Sequence, residues 1–166
     1  MNVAVHLYIA SPLFSDAEKQ FNERLAEYLG REHRVFLPQR DGRLLVDLLS
    51  AGMSSIDAAQ RIFEADVEAI RECDCLVAVL DGRSVDEGVA FELGVAFTSG
   101  KMCVGLQTDP RRLLPIGNNP MIECSLWSIT KSFQDLAAWL LRSTNQPSAS
   151  RTGVRQGTTG GPQNHL

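Results

Sequence analysis

The sequence has no long hydrophobic run. Its 166 residues contain no apolar stretch close to the roughly 20 residues that a helix needs to span a bilayer. The N-terminus begins directly with a strand-like segment and lacks the basic region and apolar core of a secretory signal. We therefore expect a cytoplasmic protein that does not act at a membrane.

An excess of basic residues is also missing. The formal net charge is −4, with 16 Lys and Arg against 20 Asp and Glu, whereas nucleic-acid-binding domains usually concentrate Lys and Arg on one face. We expect no nucleic-acid partner, and a small molecule or another protein instead.

Cysteines are few and lack the spacing of a metal site. Each lies in or beside an apolar strand-like stretch, and the four are Cys73, Cys75, Cys103 and Cys124. Because they lack the paired spacings of a zinc site, we interpret all four as buried thiols and predict no metal site.

Short apolar runs alternate with segments of helical periodicity. The predicted strands, each bounded by turn residues, are 3–10, 34–38, 75–80, 102–106 and 125–129. The predicted helices are 15–29, 55–71, a segment between the third strand and Gly100, and 132–141. In 55–71 the spacing predicts six inward residues, namely Ile56, Ala59, Ile62, Phe63, Val67 and Ile70. Residues 38–54 are predicted to be irregular.

This alternation of continuous apolar strands and helices indicates a parallel sheet covered on both faces. We predict an α/β fold, a three-layer sandwich with a mostly parallel five-stranded sheet of the flavodoxin-like or Rossmann-like kind. Residues 143–166 are rich in Gly, Ser, Thr, Gln and Pro with almost no apolar residues, so we predict a disordered C-terminal tail. The folded domain would then span 1–142.

One charge lies inside an almost wholly apolar stretch. Residues 88–97 contain a single ionisable side chain, Glu92. A carboxylate in such surroundings is tolerated only if it is paired, hydrogen-bonded or open to a polar cleft. The position is therefore a better candidate for chemistry than for solubility, although Glu92 could also be a surface residue at a subunit edge.

Polar side chains should converge beyond the carboxyl ends of the strands, where open parallel sheets bind ligands. The ends of the first three predicted strands and the loops after them carry Tyr8 and Ser11, then Gln39, then Asp86 and Gly88. Asp66, on the helix before the third strand, could approach the same cleft.

Carboxylates in an apolar cleft can act at an anomeric carbon. One displaces the leaving group and forms a glycosyl ester, while a second group handles the proton. Structural roles stay open at this point: Asp86 as a helix N-cap, Asp66 as a solvated helix residue, Tyr8 as a core residue and Gly88 as a turn residue.

Four segments resemble the nucleoside 2-deoxyribosyltransferase family, in order and over about residues 3–142. They are 7–14, Asp66 with 73–82, 86–94 and 117–122, and the third contains Asp-x-Gly-x-x-x-Glu-Leu-Gly. The resemblance makes 1–142 a catalytic domain. It implies transfer of a 2-deoxyribosyl group from a 2′-deoxynucleoside to an acceptor purine or pyrimidine base, with retention, through a covalent glycosyl-glutamate intermediate.

The resemblance also implies roles for the reacting groups. Glu92 would be the nucleophile that attacks C1′, and Tyr8 would orient it. Asp66 would donate a proton to the departing base. Asp86 would hydrogen-bond the sugar hydroxyls. No metal and no organic cofactor are implied.

Further positions match substrate contacts. Either Asn119 or its neighbour Asn118 matches an asparagine that reaches the sugar in an adjacent subunit's site, which implies a homo-oligomer with shared active sites. Gln39 is placed like a base-contacting residue, and Gly88 and Ser11 lie in matched segments. The implied partners are deoxynucleosides and free nucleobases.

Two other functions remain open from the sequence. A neighbouring branch of the superfamily hydrolyses 2′-deoxynucleoside 5′-monophosphates with the same glutamate. Asp86 would repel a 5′-phosphate and so favours nucleosides, whereas Arg83, Ser84 and Ser11 could cradle a phosphate. The other possibility is a sensor module that binds a nucleotide without turning it over.

Overall fold

The computed structural model describes residues 3–109, 111 and 117–145. The strands are β1 (His6–Ala10), β2 (Arg34–Phe36), β3 (Cys75–Val79), β4 (Met102–Leu106) and β5 (Ser128–Thr130). The helices are α1 (Asp16–Leu29), α2 (Pro38–Asp41), α3 (Leu45–Ser50), α4 (Ser55–Glu72), α5 (Glu87–Thr98), α6 (Pro120–Glu123) and α7 (Phe133–Thr144).

The strands form one sheet in the order β2-β1-β3-β4-β5, and every neighbouring pair is parallel. The predicted α/β fold with a five-stranded, mostly parallel sheet is confirmed. Strand order reverses between β1 and β3, where Tyr8 lies opposite Leu76 and Ala10 opposite Ala78. An open parallel sheet binds its ligands outside the carboxyl ends of the strands at such a reversal.

Side chains of successive strand residues point to opposite faces of the sheet, so each strand contributes to two cores. One core joins Leu7 and Val77 to Leu25 of α1 and Leu136 of α7. The other joins Tyr8, Leu76 and Ala78 to Ile70 of α4 and Leu93 of α5. Tyr8 therefore faces the layer that contains α4 and α5.

Local capping sets where the helices begin. The Ser15 side chain accepts from the Glu18 backbone N–H, and Glu18 accepts from the Ser15 N–H, which makes a capping box at the predicted start of α1. Gly100 follows α5 with φ of 74°, a conformation that glycine adopts without steric cost.

The prediction of an irregular segment over 38–54 was wrong, because this stretch contains α2 and α3. Pro38 begins α2, since a proline is well tolerated in the first turn of a helix. Neither helix has a buried residue, so neither shows the apolar periodicity on which the prediction depended.

Three residues that were predicted to face inward from α4 are exposed: Ile56 by 80%, Phe63 by 49%, and Ala59. In the first half of this helix only Ala58 is buried, whereas Ala69 and Ile70 in the second half belong to the core that covers the sheet. The helical spacing was correct, but the extent of the covering layer depends on tertiary packing.

Cys73, Cys75 and Cys103 are buried, as predicted, but Cys124 is exposed. It follows α6, and β5 begins only at Ser128, so Cys124 does not adjoin a buried strand. The last helix continues to Thr144, three residues beyond its predicted end. The rest of the predicted tail, 146–166, lies outside the described residues. In the described ranges, no helix is both long and apolar enough to cross a membrane.

Candidate active site

The site centres on a short hydrogen bond between a strand and a helix. The Tyr8 hydroxyl donates to Glu92 Oε1 at 2.6 Å. Tyr8 is fully buried, and its ring stacks on Phe36 with centroids 5.4 Å apart. The ring is therefore held rigidly, and its hydroxyl orients one oxygen of the Glu92 carboxylate.

The surroundings of Glu92 favour its neutral form. Burial raises the pKa of Glu92 to about 8, with further upward contributions from the charges of Asp66 and Asp86, while the hydrogen bond from Tyr8 acts in the opposite direction. Burial also raises the pKa of Tyr8 above its usual range, and the charge of Glu92 adds to the effect. Tyr8 therefore stays protonated and remains a donor to Glu92.

Asp66 contributes a second carboxylate from α4, which packs against both α5 and β1. Burial raises the pKa of Asp66 to about 6. Its charge raises the pKa of Tyr8 and of Glu92, so the three side chains form one electrostatic cluster.

Asp86 is the N-cap of α5. Its Oδ1 accepts from the backbone N–H groups of Gly88 at 2.9 Å and Val89 at 3.1 Å. The cap that the sequence suggested is present, and the N–H of Gly88 is bound to Asp86. Capping engages Oδ1, and Asp86 lies near enough to Glu92 for its charge to raise the Glu92 pKa.

Gln39 is placed differently from the other candidates. Its Oε1 accepts from Asn22, and its Nε2 donates to Glu23 and to the Lys19 carbonyl, all on α1. Its amide is therefore bound to α1 and is not among the contacts of Glu92. Ser11 directly follows β1 and is 8% exposed.

The adjacent asparagines differ in their surroundings. The Asn118 Oδ1 accepts from Gln107 at 3.0 Å, and its Nδ2 donates to Gln107 and Glu123. Asn119 is exposed and caps α6, with Oδ1 accepting from the Met121 N–H at 2.9 Å. Asn119 is therefore the more exposed of the two side chains.

A cavity of about 740 Å³ lies between the loop after β3, α5 and α6. Ala90 and Gly94 of α5 line it, but Glu92 does not. Residues two apart lie on different sides of a helix, so Glu92 and the cavity occupy opposite flanks of α5. The polar groups of the lining are Arg83, Ser84, Thr98, Asn118, Asn119 and Ser125.

Sequence reasoning missed two polar residues at the carboxyl edge, Asp81 and Gln107. The Asp81 carboxylate accepts from the N–H groups of Thr108 and Asp109 and from the Thr108 hydroxyl. It ties the loop after β3 to the loop after β4. Asp81, two positions after β3, and Gln107, directly after β4, are polar residues at the ends of adjacent strands, and this was the signal that could have indicated contacts between the two loops.

The cluster can perform glycosidic chemistry with protein groups. Glu92 can bond to an anomeric carbon, Tyr8 can orient it, and Asp66 can carry a proton near neutral pH. In the described part of the chain, no group of three or more His, Cys, Asp and Glu is arranged to hold a metal ion.

Comparison with known protein families identifies the chain at the family level. The family model described as nucleoside 2-deoxyribosyltransferase matches residues 7–165. The chain belongs to the nucleoside 2-deoxyribosyltransferase family. The resemblance found in the sequence is therefore confirmed, and the members of this family transfer glycosyl groups or act on N-glycosidic bonds. A comparison with curated proteins gives no match.

Solved structures share the fold of this family member. A conserved protein from Enterococcus faecalis is 26% identical with a TM-score of 0.66, and the match covers 85% of this chain and 99% of that chain. The 2-deoxyribosyltransferase of Bacillus psychrosaccharolyticus is 23% identical with a TM-score of 0.66, covering 81% and 95%. A CMP N-glycosidase from Clostridium botulinum is 20% identical with a TM-score of 0.52, covering 81% and 97%.

Proposed function

We propose that this protein is a nucleoside 2-deoxyribosyltransferase that moves a 2-deoxyribosyl group from a 2′-deoxynucleoside to an acceptor purine or pyrimidine base. The observation that carries the proposal is the 2.6 Å hydrogen bond from the buried Tyr8 to Glu92. It orients a carboxylate that its surroundings desolvate, as a nucleophile at an anomeric carbon requires.

In the first step, the ionised Glu92 carboxylate attacks C1′ of the donor. A bond forms between a glutamate oxygen and C1′, the bond from C1′ to the base nitrogen breaks, and the base leaves with that electron pair. Because Tyr8 binds Oε1, Oε2 is the oxygen that attacks. The product is a deoxyribosyl ester of Glu92 with inverted configuration.

Asp66 supplies the proton that the departing base requires. Its raised pKa, about 6, keeps a larger share of the carboxyl protonated near neutral pH than an ordinary aspartate would retain. In the second step the acceptor base attacks C1′, returns its proton to Asp66 and releases Glu92. Two inversions give net retention.

Asp86 favours a nucleoside over a nucleotide as donor. Its Oδ1 caps α5, and the carboxylate has a second oxygen that can accept from a sugar hydroxyl. A 5′-phosphate near this carboxylate would meet like charge.

Asn119, which is exposed at the start of α6, is the better candidate for a contact to the sugar of an adjacent subunit. The Asn118 amide is less suitable because its oxygen already accepts from Gln107 and its nitrogen already donates to Glu123.

The test is chromatography of the purified protein with 2′-deoxyinosine, with and without adenine, beside reactions with inosine and with a deoxynucleoside 5′-monophosphate. The proposal predicts 2′-deoxyadenosine only when adenine is present. Base release that is independent of adenine, above all from the monophosphate, would make the protein an N-glycosidase.

Glu92→Gln is the matched variant for this test, since it keeps an oxygen that can accept from Tyr8. It should lower the rate of transfer at least about 10³-fold. Its thermal unfolding midpoint should equal or exceed that of the wild-type protein. Saturable nucleoside binding by the variant, together with no product from wild type after long incubation, would indicate a binding module instead.

A further inference from the structure

A buried amide at the end of β4 has no part in the proposed chemistry. Gln107 follows the last residue of β4 and is 3% exposed. Its backbone N–H donates at 2.9 Å to the carbonyl of Thr130, the last residue of the edge strand β5. Its side chain therefore starts from a backbone that is fixed on one side by the sheet.

The side chain of Gln107 links three parts of the carboxyl edge. Its Nε2 donates to the Leu80 carbonyl at 3.3 Å and to Asn118 Oδ1 at 3.0 Å. In return, Asn118 Nδ2 donates to Gln107 Oε1 at 3.2 Å and to Glu123 Oε2 at 3.1 Å. The two amides form a reciprocal pair, which fixes the distance and the orientation between β4 and the residues before α6.

The neighbours of this pair are also constrained. Thr108 and Asp109, which follow Gln107, are bound by Asp81. Gly117, which precedes Asn118, has φ of 111°, a conformation that L side chains rarely adopt. The chain therefore turns sharply at Gly117, and the Asn118 amide pairs with the buried Gln107 while Asn119 is exposed.

We propose that Gln107 is a positioning residue for the transfer reaction, holding Asn118 so that the Asn119 amide projects from the carboxyl edge of the sheet. This inference rests on the proposed function, in which Asn119 contacts the sugar. An amide suits the task because it both donates and accepts in a fixed plane, so a reciprocal pair forms in one register only. A leucine of similar size could fill the space without setting that register.

The experiment exchanges the two amides in the full-length protein. Gln107→Asn shortens one partner by a methylene and Asn118→Gln lengthens the other, so each single variant disturbs the pair. The double variant restores the total length of the pair. Gln134→Asn, the same substitution on the exposed surface of α7, is the control.

Two quantities are measured for each variant: kcat/KM for transfer, and amide hydrogen exchange of residues 117–121. Each single variant should show about tenfold lower kcat/KM and at least about fivefold faster exchange in this segment, with unchanged protection of β3. The double variant should recover both, and Gln134→Asn should change neither.

The proposal is overturned if the single variants leave exchange at 117–121 unchanged, if exchange rises while kcat/KM stays at the wild-type value, or if the double variant recovers neither quantity. Exchange does not depend on turnover. A wild-type protein without transferase activity would therefore refute the proposed function, and the exchange data would still decide whether Gln107 positions the turn.

Discussion

At the scale of single residues, Glu92 combines two opposing requirements. The proposed nucleophile must be ionised, yet burial raises its pKa to about 8. Tyr8 offsets part of this cost by donating to Oε1 at 2.6 Å, because a hydrogen bond to the charged form stabilises that form. In the free protein at pH 7, the Glu92 side chain is therefore protonated in most molecules.

This arrangement predicts a pH-dependent gain in stability for Glu92→Gln. The folded-state pKa of Glu92 is raised from an ordinary 4.5 to about 8, so the wild-type fold loses stability as pH rises from about 4.5 through 8. Glutamine resembles the protonated form and does not titrate. Chemical denaturation should show the variant more stable by roughly 4 kcal/mol at pH 8 and unchanged at pH 4. A difference that is the same at both pH values would contradict the raised pKa.

Glu92 and Asp66 together predict a bell-shaped dependence of kcat/KM on pH. The catalytically competent form has Glu92 ionised and Asp66 protonated. It is a minor form, because the pKa of Glu92, about 8, is higher than the pKa of Asp66, about 6. The rate should rise near pH 6 and fall near pH 8, as expected for a coupled pair. In Asp66→Asn the alkaline fall should disappear, because no proton is then lost from the general acid. An alkaline fall that persists in this variant would assign that titration to another group.

At the scale of secondary structure, the start of α5 connects stability to substrate choice. Asp86 caps the helix, and Glu92 lies further along the same helix. Asn and Asp are similar N-caps, whereas alanine loses the cap. Charge and capping can therefore be separated at this position.

Asp86→Asn should preserve the free energy of unfolding and raise the kcat/KM ratio of a deoxynucleoside 5′-monophosphate to its nucleoside, since it removes the like charge. Asp86→Ala should also lose about 1 kcal/mol of stability. Ser132→Ala removes the cap of α7 and is the control, with a similar stability loss and no change in the ratio. A ratio that is unaffected by Asp86→Asn would mean that the carboxylate does not face the 5′ position.

The secondary structure could be predicted where burial leaves a pattern in the sequence. All five residues of β3 are buried, and this strand was predicted within one residue. Helices α2 and α3 bury no residue, so their sequence carries no inward stripe, and they were missed. Ile56 and Phe63 follow the correct helical spacing but are exposed, because the part of α4 that joins the core is its second half, with Ala69 and Ile70.

At the scale of the whole molecule, the exposed position of Asn119 predicts complementation between subunits. If each site joins Glu92 of one subunit to Asn119 of another, then Glu92→Gln and Asn119→Ala are each inactive alone. Subunits that are dissociated, mixed equally and reassociated should regain about a quarter of wild-type activity in a pairwise assembly. A mixture that stays inactive although mixed oligomers are detected would place Asn119 and Glu92 in the same subunit's site.

The sequence by itself determined the alternation of buried strands and amphipathic helices, the family, and the conspicuous position of Glu92, because each depends on local pattern or on a short motif. Only the tertiary structure decided which polar groups meet. It joined Tyr8 to Glu92 across 84 residues and Gln107 to Asn118, and it bound Gln39 to α1. Such contacts depend on strand order and on which flank of a helix faces the sheet, and these are properties of the packed chain.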